Sequence, residues 1–180
     1  LFRSITEENN KIKIQLLSYD TTGALTETVS NTLKNNILNY LSEYRMINDY
    51  VDITSGEVVD LSLEIDLIIN KNESPTDIIR SSIEKTIDFF AIEKRKMGDP
   101  LFVGDLIKEI GGVTGVVNVV DIRVYSKIGG NYSSSEPAQG VNQATRLISQ
   151  SDMTIFMMSN QIFQIRFPNV DIKVRTKTLG

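Results

Sequence analysis

Residues 57–98, EVVDLSLEIDLIINKNESPTDIIRSSIEKTIDFFAIEKRKMG, read as one long strand followed directly by one long helix. Across residues 60–70, Leu61, Leu63, Ile65, Leu67 and Ile69 alternate with Asp60, Ser62, Glu64 and Asp66. Period-two alternation over this length predicts a strand with one dry face and one solvated face. Ser74 then offers an N-cap, Pro75 stands where a missing N–H costs nothing, and Asp77 lies in the first turn, where the helix dipole favours an anion. Ile79, Ile83, Ile87 and Phe90 follow at helical spacing. Lys94, Arg95 and Lys96 precede Gly98, so the helix is expected to run on to a glycine cap there.

Upstream, residues 11–19 alternate Ile12, Ile14 and Leu16 with Lys11, Lys13 and Gln15, a first strand. Asp20, Thr21 and Thr22 form a turn that could cap a helix. Leu25, Val29, Leu33, Ile37, Leu41 and Tyr44 recur every three or four residues, predicting about five amphipathic turns. After a break at Asn48 and Asp49, a short strand over 51–54 leads into the long one through Ser55 and Gly56, read as a tight hairpin. Downstream, a short helix is expected over 103–110 with Leu106, Ile107 and Ile110 inward, then a strand over 115–125 with Val120, Ile122 and Val124 inward. This element order is that of a split βαβ, ferredoxin-like α+β domain over residues 1–127. Residues 128–151 are rich in Gly and Ser and read as a long loop. Short strands over 153–158, 161–167 and 170–176 complete a β-rich extension, 128–180, expected to serve in assembly.

Composition narrows the chemistry. The 180 residues hold 41% apolar and 23% charged residues, a net charge of −4, and neither His nor Cys. An acidic balance argues against bulk affinity for nucleic acid or anionic lipid. There is no apolar run long enough to cross a membrane, and the opening Leu1-Phe2-Arg3 reads as part of a longer chain. Without His or Cys, the usual neutral-pH base, the thiol nucleophile and most transition-metal ligation are lost. No catalytic residue, cofactor or metal site is expected, and the chain is read as not an enzyme.

Several features have a bland and a sharp reading. Asp60, Glu64 and Asp66 share a strand face and could be catalytic acids, but a solvated sheet face accounts for them. Lys173, Arg175 and Lys177 line one side of the last strand, opposite Val170, Ile172 and Val174, and a charged edge that discourages aggregation is preferred to a nucleic-acid stripe. Gly111, Gly112 and Gly115 lack the context of a phosphate loop. The apolar cluster around Ile155–Phe163 carries large groups on both faces, which calls for burial on two sides. Met157, Met158 and Phe163 are therefore the candidate self-association residues.

Three stretches carry a family resemblance: residues 44–70 (YRMINDYVDITSGEVVDLSLEIDLIIN), 74–110 (SPTDIIRSSIEKTIDFFAIEKRKMGDPLFVGDLIKEI) and 115–127 (GVVNVVDIRVYSK). Together they resemble the C-terminal region of the baseplate J-like wedge proteins of contractile-tailed, T4-like bacteriophages. The resemblance covers about residues 11–127. It implies a structural subunit of the virion tail baseplate that self-associates within a ring and meets other wedge proteins and the sheath-initiating component, with no catalytic motif. Apart from the resemblance, a homotypic contact is expected to be dimeric, since two-fold contacts are the commonest in homo-oligomers. The competing reading is a ferredoxin-like regulatory module that binds a small ligand; an enzyme built on carboxylates comes third.

Overall fold

Strand β5 (Glu57–Ile69) is the axis of the main sheet. The computed structural model describes residues 2–8, 11–44 and 50–178; the Asn48-Asp49 break lies outside them. In chain order the other elements are β1 (Phe2–Glu8), β2 (Lys11–Tyr19), β3 (Leu25–Thr26), α1 (Asn31–Ser42), β4 (Tyr50–Ser55), α2 (Pro75–Phe89), β6 (Leu101–Phe102), α3 (Val103–Gly111), β7 (Val116–Lys127), β8 (Thr154–Ile155), β9 (Gln161–Gln164), α4 (Pro168–Asp171) and β10 (Ile172–Thr178). The fold is mixed α+β, with both parallel and antiparallel pairings.

The alternation along β5 does what period two requires. Leu61, Leu63, Ile65 and Ile69 are fully buried and pack with Ile78 of α2 and with Leu106 and Ile110 of α3. Antiparallel β7 lies along one edge. The other edge is shared end to end by two parallel strands, β9 beside residues 57–60 and β10 beside residues 63–69. The residues after 128 thus complete the sheet that earlier residues begin.

The second sheet is built on β2, which pairs with β1 and β3 antiparallel and with β4 parallel. The four strands expected in one ferredoxin-like sheet are therefore divided, β2 and β4 in one sheet and β5 and β7 in the other. The Ser55-Gly56 hairpin is also corrected, since β4 does not pair with β5. The chain runs on through Gly56, whose N–H donates to the Leu16 carbonyl at 2.8 Å, while the Glu57 N–H donates to Asn160 at 2.8 Å. Gly56 is needed for close approach instead of for a positive φ. A Cβ there would collide with Met97 Cε and lie 3.1 Å from Leu17 Cγ and 3.2 Å from the Asn160 oxygen. Gly56→Ala should cost ~1–3 kcal/mol by overpacking, read from urea denaturation. Met97→Ala added to it should restore part of the loss, and a neutral Gly56→Ala would refute the close approach.

Helix boundaries differ from those expected for identifiable reasons. Asp20 closes a local turn, accepting from the Thr22 and Ala24 N–H groups, and the true cap of α1 is Ser30, whose hydroxyl accepts from Leu33 N–H. Leu25 and Val29 are buried as expected but lie outside the helix. Helix α2 stops at Phe89, and Arg95 folds back to stack on the Phe89 ring at 4.2 Å and donate to the Phe89 carbonyl. Its innermost line is Ile78, Ser82 and Thr86, one residue off the isoleucine stripe, so Ile83 is half-buried and Ile87 exposed. In β7, Ile122 and Val124 point inward as expected but Val120 does not. The register passes from Asp66↔Asp121 to Leu67↔Val119, and the bulge turns Val120 out to 56% exposure.

Candidate functional site

The carboxylates singled out on β5 do not form one solvated face. Asp60 is completely buried. Its Oδ2 accepts from the Ser133 N–H at 2.7 Å and its Oδ1 from Gln164 Nε2 at 3.0 Å. Gln164 is held in that orientation because its Oε1 accepts from the Leu25 N–H at 2.7 Å. Burial pushes the Asp60 carboxyl above the ordinary carboxylate range, partly offset by these donors and by the Arg166 charge. The cover is the loop after β7. Ser133 also donates to the Val58 carbonyl, Ser135 donates to Glu27 at 2.9 Å, and the Tyr132 hydroxyl donates to Asp171 at 2.8 Å. The Tyr132 phenol, desolvated and beside that carboxylate, is pushed up to about 12.

Further along the same face the acids are paired. Arg123 of β7 bonds Asp66 at 2.6 Å and approaches Glu64 at 3.6 Å and Asp121 at 3.4 Å. Glu64 also meets Arg175 at 3.2 Å and Lys173 at 4.0 Å. Apart from Arg123–Asp121, which lies within β7, these are cross-strand pairs on a half-exposed sheet, a stabilising ladder rather than an acid–base couple. Because Arg123 keeps two other carboxylates, Asp66→Ala should change stability by less than about 1 kcal/mol. A larger loss on denaturant unfolding would mean that the ladder acts as one unit. Among the described residues no group of three or more Cys, Asp or Glu is placed to hold a metal ion, and no helix is long and apolar enough to cross a membrane.

An open groove of about 550 Å³ lies between the β2–β3 turn, the end of α2 and the β9–α4 connection, with Ile87, Phe90, Ile165 and Phe167 in its wall. Gln164 and Arg166 border it, but Gln164 is bonded as above and Arg166 pairs with Asp20 at 2.8 Å. These two polar groups of its wall are thus committed to partners within the fold.

The three candidate self-association residues are placed in three environments. Phe163 is corrected from interface to core: it is 2% exposed on β9, opposite Val59, and packs within the main apolar cluster. Met157 is half-buried between two apolar clusters. Met158 is 52% exposed, two residues from the equally exposed Phe156.

A second surface went unread in the sequence. The core between α1 and the β2–β4 pair is only half covered. Helix α1 has no buried residue, and Leu33, Ile37, Leu41, Val51 and Ile53 are all partly open. Tyr40, Tyr44 and Tyr50 stand out from this layer at 63%, 71% and 61% exposure, with the Tyr40 and Tyr44 rings 5.1 Å apart. The expected five-turn stripe put Tyr44 inside; the helix ends at Ser42, and Tyr44 lies beyond it. A sparsely charged helix carries the signal that could have found this face, since NTLKNNILNYLS holds a single charge, Lys34.

No protein-family model matches the chain, and no curated protein does.

Proposed function

We propose that the chain is a structural component of a phage tail baseplate wedge, located in the virion tail, that associates with copies of itself and with other wedge proteins. The baseplate part of this reading rests on the resemblance of residues 44–70, 74–110 and 115–127 to the J-like wedge family. The observation that supports an assembly role is the half-covered core of the α1–β4 layer with its three exposed tyrosines. Tyrosine brings large contact area at low conformational cost, which suits it to interfaces. A two-fold contact presses a patch against its own copy, so charge on the patch repels itself, and α1 with one charged residue meets little of that penalty. Met158 and Phe156 supply a second exposed apolar patch for a further contact.

Sedimentation velocity on the whole chain over a concentration series from micromolar to near-millimolar tests this. The wild type should shift to dimer and beyond, and Tyr40→Glu with Tyr44→Glu should raise the dissociation constant by about tenfold or more, the effect of losing ~1.4 kcal/mol. A chain that stays monomeric throughout, or associates equally well with both substitutions, defeats the reading.

A further inference from the structure

Strand β10 is the last strand on its side of the main sheet. It pairs with β5, and among the described residues no other strand pairs with it. Alternate N–H and C=O groups of such a strand point away from the sheet, a ready template for one more strand. Two independent features flank this edge. On one face Lys173, Arg175 and Lys177 stand in a row, all exposed. Lys173 and Arg175 share the single carboxylate of Glu64 with Arg123, so the row keeps an excess of positive charge on an acidic chain. On the other face lies α2, which packs over β10. Its flank toward α3 carries Ser81, Lys85 and Asp88, which line a cleft with Gly112 and Thr114. The opposite flank is the stripe of Ile79, Ile83 and Ile87, left half-buried to exposed because the helix sits one residue off it.

We propose that the β10 edge, roofed by the isoleucine stripe of α2, is a docking site for an extended segment of a different protein in which acidic and apolar residues alternate. Strand addition uses backbone hydrogen bonds for affinity and alternate side chains for selectivity. The alternation fits the two walls, with acids toward Lys173, Arg175 and Lys177 and apolar groups toward Ile83 and Ile87. A second copy of this chain is disfavoured by the same row. Antiparallel pairing of β10 about Arg175 would set Arg175 against Arg175 and Lys173 against Lys177, like charges directly opposite. The aggregation-blocking role of the basic row and its selective role are one property: it refuses itself and accepts an acidic strand. This inference does not depend on the baseplate reading.

The test uses the whole chain, isotopically labelled, and three fluorescent nine-residue peptides: alternating Glu-Val, alternating Lys-Val, and the Glu-Val peptide with alternate backbone nitrogens methylated. The Glu-Val peptide should bind about tenfold or more tighter than Lys-Val at low salt and should slow amide exchange in β10. The methylated peptide should lose binding, because it cannot complete the strand pairing. Lys173→Glu with Lys177→Glu, both at exposed positions, should invert the charge preference, and Ile87→Ser should weaken the Glu-Val peptide. Equal binding of the acidic and basic peptides, undiminished binding of the methylated one, protection mapped away from β10, or no binding at millimolar peptide overturns the proposal. Concentration-dependent protection of β10 without any peptide overturns it too, by naming a second copy as the occupant.

Discussion

Phe163→Glu should leave the chain unfolded, while Met158→Glu should melt like the wild type and act only on self-association. The two residues lie five apart in one apolar segment and differ in what surrounds them. Phe163 is 2% exposed on β9, within the cluster that holds Leu61, Leu63 and Phe90. A carboxylate there would have no paired cation, and it would either stay charged in an apolar site or take up a proton at a high cost. Losing the aromatic ring adds ~3–5 kcal/mol for the cavity. Against a total stability of about 5–15 kcal/mol for a domain, the sum exceeds what the fold can absorb. Phe163→Leu, which keeps volume and polarity close, should cost less than about 1.5 kcal/mol. Met158 is half in solvent, and what anchors it is its backbone N–H, which donates to Gln161 Oε1 at 3.1 Å and is kept by any side chain. Circular dichroism melts and sedimentation on the same samples separate the two outcomes. If both substitutions only weakened association, β9 would be a peripheral strand and the pairing with β5 would be wrong.

The features of the sequence that proved legible are those set by near neighbours. Alternation along β5, the Ser74-Pro75-Asp77 start of α2, and the Leu106-Ile110 face of α3 are all decided within one strand or two helical turns. Tertiary partners decide the rest. Leu25 and Val29 keep helical spacing with Leu33, yet Leu25 pairs its backbone with Tyr19 in β3, so the stripe breaks before Ser30. Strand β1, FRSITEE, has too little alternation to be seen, and its existence depends on the register with β2. Gly56 looks like hairpin punctuation from its neighbours, whereas its role is set by Leu17, Met97 and Asn160, from three separate segments. Of the candidate interface residues Met158 is the most exposed, while Phe163 is buried because β9 finds a partner about a hundred residues upstream. The tyrosine face was hidden by the assumption that spacing implies burial.

Asp60 shows the same effect most sharply, and it carries the second large expectation. Alternation put it on a wet face, but the loop arriving from Tyr132 to Ser135 seals it. Asp60→Ala would leave the Ser133 N–H and Gln164 Nε2 without an acceptor in a dry site, and Gln164 cannot turn over to compensate without abandoning the Leu25 N–H. At ~1–3 kcal/mol for each orphaned donor, a loss of about 2–6 kcal/mol is expected. Asp60→Asn should also destabilise, since its amide donor must face one of two donors. The pH dependence has a definite sign. Burial raises the folded-state pKa of Asp60 above its unfolded value, so the folded chain holds this proton at a pH where the unfolded chain has released it. Through the window from that raised pKa down to the ordinary value near 3.8, folding takes up a proton, and acidification stabilises the wild type at this site. The charged and titratable groups around it include Arg166, Ser133's neighbour Tyr132, Asp171, Glu27 beside Val58 and Ser135, and, opposite in the register, Lys127. Neither Asp171 nor Glu27 bonds to Asp60, whose partners are Ser133 and Gln164, so the effect belongs to this side chain. The stability gap between wild type and Asp60→Ala, measured by urea denaturation from neutral pH downward, should therefore widen as the pH falls. A gap that narrows would mean that the ionised form is the one the Ser133 and Gln164 donors favour, with burial the lesser influence.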